Sequence, residues 1–98
     1  MQLPKKTVST LFRIATESDI SGLSLQQLNY AKNEIYARRG RKFDSVELQE
    51  YFGSKSWYRG TIEPSQFTND MLNDYEIKNA DLLSAREFAI DSGGYKLR

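Results

Sequence analysis

Apolar positions in the central third of this chain recur at helical spacing. In "LSLQQLNYAKNEIYARRG", residues 23–40, Leu28, Ala31 and Ile35 fall three and four apart, and Leu25 and Tyr36 widen the stripe, so the segment predicts an amphipathic helix. Its ends are marked as well. Ser24 followed by Gln27 forms a capping box that satisfies the free amides of the first turn, and Gly40 suits the left-handed position that stops a helix. A second, shorter helix is predicted in "FDSVELQEYFG", with Asp44 as cap, Glu47 reaching back, Leu48, Tyr51 and Phe52 facing inward, and Gly53 as terminator.

The third predicted helix is "TNDMLNDYEIKNADLLSAREFAI", capped at Thr68, with acidic residues in its first turn and Leu72, Tyr75, Leu82, Leu83 and Ile90 along one face. Asn79 falls within that face, so it is expected to be buried and hydrogen-bonded, since an unpaired buried amide costs about 1–3 kcal/mol. Between the second and third helices, "SKSWYRGTIEPSQFT" has no sustained period and contains Gly60 and Pro64. It reads as an ordered loop pinned by Trp57, Tyr58, Ile62 and Phe67. Upstream, "TESDI" predicts one helical turn capped by Thr16, and "TVSTLFRI" a strand or a leading arm. "SGGYKLR" reads as a frayed tail. The expected fold is all-α: one small core of three principal helices with an ordered aromatic loop. It divides into an arm at 1–15, a helical domain at 16–90 and a tail at 91–98.

Composition narrows the function. Ninety-eight residues with 39% hydrophobic and 28% charged make one ordinary globular domain, and no stretch approaches a membrane span. The first residues make a poor signal peptide, because Arg13 interrupts a short apolar patch and no small-residue cleavage site follows. The chain has neither cysteine nor histidine, which removes thiol nucleophiles, cysteine zinc sites and imidazole acid–base chemistry. No cofactor or metal motif is present. Charge is uneven: residues 1–60 hold ten Lys/Arg against six Asp/Glu, and residues 61–98 hold four against seven. The simplest expectation is that the two halves face each other, which argues against nucleic acid as a partner, since that footprint needs a large basic excess.

The densest chemistry is "NEIYARRGRKF", residues 33–43. Lys32, Ile35, Tyr36 and Arg39 fall on one helix face, so cations share the apolar side and need partners. One expectation is an internal network of Asn33, Glu34, Tyr36 and Asn79, with Arg39 forking onto Asp74, Glu76 or Asp81 of the third helix. The other is a ligand surface made by Arg38, Arg39, Arg41 and Lys42 with Trp57 and Tyr58, since arginine beside aromatics suits glycans and other anions. Glu34 with Glu47 or Glu50 would be the carboxylate pair of a hydrolase, but such a pair needs a cleft between its members.

These residues carry a resemblance. "LSLQQLNYAKNEIYARRGRKFDSVELQEYFGSKSWY" followed by "LNDYEIKNADLL" resembles the YARHG domain family across residues 16–88, with the NEIYAR core, the GRKF exit, the LQEYF segment, the WY pair and Asn79 in the family's order. The motif's histidine position is Arg39 here, so no imidazole role carries over. The resemblance implies a bacterial domain of secreted or surface-anchored proteins without an established catalytic activity. On that basis the expected function is a non-enzymatic extracytoplasmic binding module, contacting a cell-wall polymer or a surface protein. A purely structural spacer and a carboxylate hydrolase are the alternatives.

Overall fold

The computed structural model describes residues 16–98. Helix α1 is the single turn Glu17–Ile20, and α2 runs Leu25–Arg38. Helix α3 spans Val46–Gly53, and α4 spans Asp74–Ile90. Two 3-10 turns, Pro64–Gln66 and Asn69–Met71, interrupt the long connection before α4. The described residues form the expected helical fold with three main helices. The segment expected as a strand or arm, residues 7–14, lies outside the described residues.

Helix α2 is central because it buries two faces. Leu28, Ala31 and Ile35 pack with Leu83 and Ala80 of α4 and with Ile20, Leu23 and Leu72. On its other side Tyr30 and Ala37 join Phe43, Leu48 and Phe52 in an aromatic core with half-buried Tyr51, Trp57 and Tyr58 around it. Both ends of α2 follow the sequence: Ser24 Oγ accepts from the Gln27 amide at 3.1 Å, the Gln27 side chain accepts from the Ser24 amide at 3.0 Å, and Gly40 takes φ 92°. Gly40 also lies where chain meets chain. Its carbonyl accepts from the amides of Thr61 and Ile62, both at 2.9 Å, and Lys42 N donates to Ile62 O at 2.8 Å.

Five local readings are corrected. Helix α3 is capped by Ser45, whose hydroxyl accepts from the Leu48 amide, rather than by Asp44, and Glu47 does not reach back but is buried. Gly53 is the last helical residue, followed by Ser54 in a right-handed conformation, so it is not a left-handed stop. Helix α4 starts at Asp74, not after Thr68, because Asn73 and Glu76 form a capping box and Asn73 is extended. The buried face of α4 is Glu76, Asn79, Ala80, Leu83 and Glu87, whereas Tyr75 and Ile90 are exposed.

The tail is not frayed. Tyr95 packs against the aromatic core, with its ring edge-on to Tyr30 at 6.2 Å, and Gly94 is buried at φ 67°. Residues 91–98 return along α4 and cross to α3, where Ser45 Oγ donates to Arg98 O at 2.7 Å.

Candidate functional site

The cations of the motif leave helix α2 in different directions. Arg39, at the C-cap, forks onto Glu76 of α4: its Nε lies 3.0 Å from both carboxylate oxygens and its Nη2 donates to Oε1 at 2.8 Å. That hydrogen-bonded carboxylate raises the Arg39 pKa further. Two turns earlier, Lys32 meets Glu87 at 3.2 Å. Basic α2 therefore faces acidic α4, as the charge imbalance between the two halves suggests.

Arg38 pairs with Glu34 one turn back at 3.0 Å and lies 4.1 Å from the centroid of the Trp57 ring. Trp57 is half-buried and tilted against Phe52, so one face is core and the other carries Arg38. Lys42 pairs with exposed Glu63 at 2.8 Å, which raises its pKa. Tyr58 donates its hydroxyl to the Arg41 carbonyl at 2.8 Å. The six candidate ligand residues thus take part in four local arrangements.

The second candidate set divides as well. Asn33 donates to the Asn29 carbonyl at 2.9 Å and to its Oδ1 at 3.1 Å, whereas Glu34 is bound by Arg38. Tyr36 is half-buried, edge-on to Phe67, and burial raises its pKa. Asn79 is wholly buried in α4.

Two carboxylates hold networks that the sequence reading missed. Glu87, 1% exposed, accepts from Asn29, Lys32 and the Tyr95 amide. Glu47 accepts from the hydroxyls of Tyr30 and Tyr95, from Gln26 and from the Arg98 amide. Burial pushes the Glu47 pKa up, but these donors outweigh it and bring it down to about 2. The phenols respond oppositely. Tyr30 is raised chiefly by burial and then by Glu47, and Tyr95 chiefly by its bond to Glu47. The signal for Glu87 was its spacing with Leu83, Ala80 and Glu76, a helical stripe whose ends happen to be charged.

One residue of the motif stands apart. Arg41 is fixed through its backbone: its amide donates to Tyr36 O at 3.2 Å, it bridges to Ile62, and its carbonyl receives Tyr58. Its guanidinium lies 5.2 Å from the Phe43 ring centroid and 5.8 Å from that of Tyr36, with no carboxylate partner among the described residues. It lines an open cleft of about 500 Å³ whose walls include Asn33 and Tyr36 of α2, Phe43 and Phe67 of the loops, and Ser84 of α4. Such a volume lies in the range of small-ligand sites. A rigid mount beneath an unpaired guanidinium is the arrangement that binds an anion with little reorganisation.

Among the described residues, no group of three or more His, Cys, Asp or Glu is placed to hold a metal ion, and no helix is long and apolar enough to cross a membrane. The family model described as the YARHG domain matches residues 5–87. No curated protein and no solved structure matches the chain.

Proposed function

Because the chain belongs to the YARHG domain family, we propose that it is a non-enzymatic binding module acting outside the cytoplasmic membrane, with the Arg41 cleft as its ligand site. The single observation that carries this reading is the contrast within one motif. Arg38, Arg39 and Lys42 each have a carboxylate within 3.0 Å, whereas Arg41 has none among the described residues and lines an open cleft. The motif then has two jobs: most of it holds helices together, and one cation is left without a carboxylate beside the cleft.

The non-enzymatic part rests on the carboxylates. Glu34, Glu47, Glu76 and Glu87 are buried, and each is engaged by internal donors, which leaves none of them poised as a general acid or base. A structural spacer remains the second reading, favoured by the internal engagement of Asn33, Glu34, Arg38 and Arg39. The extracytoplasmic setting follows the usual setting of the family, and the ligand is accordingly a cell-envelope polymer or a surface protein.

Co-sedimentation with purified bacterial cell-wall sacculi tests the module reading. The expected result is retention of the wild-type domain, loss of it in Arg41→Gln, and little change in Lys42→Gln, whose pair with Glu63 is solvent-exposed. Equal retention of wild type and Arg41→Gln would remove the cleft from the reading.

A further inference from the structure

Resting on that module reading, we infer that the cleft takes an acidic saccharide: a hydroxylated ring bearing one carboxylate, which pairs with Arg41. Charge sets the first limit. The other cations around the cleft and its motif are already neutralised, Lys32 by Glu87, Arg38 by Glu34, Arg39 by Glu76 and Lys42 by Glu63. One uncompensated positive charge suits one anionic group. A nucleic acid or polyphosphate would need several, because its affinity comes from neutralising many phosphates at once. Asp44, exposed at the same cleft, lowers its net positive charge further, which disfavours a polyanion, and its carboxylate accepts from hydroxyl donors.

The neutral groups set the second limit. Asn33 uses its Nδ2 on Asn29, and its own Oδ1 has no donor among the described residues. That oxygen is not sealed from solvent, because among the described residues no buried side-chain polar atom lacks a partner. It therefore offers an acceptor at the cleft, with the Ser84 hydroxyl on the α4 wall as donor or acceptor. Rings of Tyr36, Phe43 and Phe67 line the same space and give apolar surface against which the C–H groups of a sugar ring can lie. Separated acceptors and hydroxyls beside aromatic surface match a ring decorated with hydroxyl groups.

A peptide carboxylate fits less well. Extended peptides gain affinity by adding to an exposed strand edge, or by docking an amphipathic helix in an apolar groove. The extended pairing beside this cleft is a single bridge between Arg41 and Ile62, and the backbone groups around it are occupied by Lys42, Thr61 and Tyr58. The cleft itself is lined by amides, hydroxyls and charges as much as by rings.

The test is an NMR titration of the isotope-labelled 98-residue domain with three probes: methyl β-D-glucuronide, methyl β-D-glucoside and N-acetyl-alanyl-alanine. The expected result is that the glucuronide shifts the Asn33 side-chain amide and the Arg41 Nε–H. The glucoside should bind roughly tenfold or more weakly, the loss expected when a charge-assisted pair is removed. Arg41→Gln should lose the glucuronide preference while keeping a dispersed, folded spectrum, and Arg41→Lys should retain part of it. Equal response to glucuronide and glucoside would overturn the carboxylate assignment. Response to the acetylated dipeptide alone would overturn the saccharide and leave the module reading standing. Silence of the cleft toward all three, with Arg41-dependent sedimentation intact, would likewise reject only this ligand class. Silence together with Arg41-independent sedimentation would reject both.

Discussion

Arg39 stands where the motif of the family has histidine, and its geometry explains why a cation is useful there. A planar guanidinium presents parallel N–H groups that match a carboxylate, and here it fixes Glu76, whose Oε1 also accepts from the Asn73 amide at the start of α4. One carboxylate thereby joins the end of α2 to the beginning of α4. Arg39→Met should cost about 1–3 kcal/mol in urea unfolding, because Glu76 stays buried with fewer donors. Arg39→Lys should fall between the two, as a point charge replaces a fork. The Arg39 side chain is 42% exposed, so a loss below about 0.5 kcal/mol would mean that solvent screens the pair as it does ordinary surface ion pairs. Arg38 acts on a different neighbour. Its place over Trp57 predicts that Arg38→Gln red-shifts Trp57 emission and raises its quenching by acrylamide, whereas unchanged quenching would mean that the loop alone shields the ring.

At the level of elements, the turn after α2 is the most demanding joint. Gly40 has φ 92°, and a Cβ there would sit 3.0 Å from Thr61 Oγ1 and 3.2 Å from Arg59 O. Gly40→Ala should cost about 2 kcal/mol or more, combining left-handed strain with displacement of the Arg59–Ile62 crossing. Because that crossing seats Arg41, the same change should weaken sacculus binding. A stability loss with binding untouched would separate the joint from the site. This turn was legible because a glycine closing a polar helix end has few other uses. Helix α2 was legible for the same kind of reason, since its stripe and both caps agree. Helix α4 was not: Thr68 and Asn73 both carry capping chemistry, and the burial of Leu72 with a 3-10 turn before it selects the later start. Its buried face was misread because two of the five buried residues are glutamates, which apolar periodicity ignores. The cleft was legible only in part. Arg41 and Tyr36 stand in the motif, but Phe67 and Ser84 come from distant chain, and no local pattern marks them as neighbours.

For the molecule as a whole, closure comes from the C-terminal residues converging on Glu47. Tyr95 and the Arg98 amide reach it from the tail, Tyr30 and Gln26 from α2, and Glu47 itself sits on α3, so one carboxylate joins three parts of the chain. Ending the chain after Gly94 removes two of these donors and the Tyr95 amide bond to Glu87, and it should cost on the order of 3 kcal/mol. The same convergence dictates an acid response. The Glu47 pKa falls from an ordinary 4.5 to about 2 on folding, so the unfolded chain binds this proton more readily than the folded one. Its contribution to stability is therefore complete above about pH 4.5 and is lost as pH falls from there toward 2. Followed by NMR, the Glu47 carboxyl should titrate near pH 2 in the wild-type domain. In Tyr95→Phe one hydrogen bond to the charged form is gone, so the midpoint should move upward and the acid loss should begin at higher pH. An unmoved midpoint would mean that Tyr30, Gln26 and the Arg98 amide hold the carboxylate without the Tyr95 hydroxyl, and the part of Tyr95 in closing the fold would then rest on the packing of its ring.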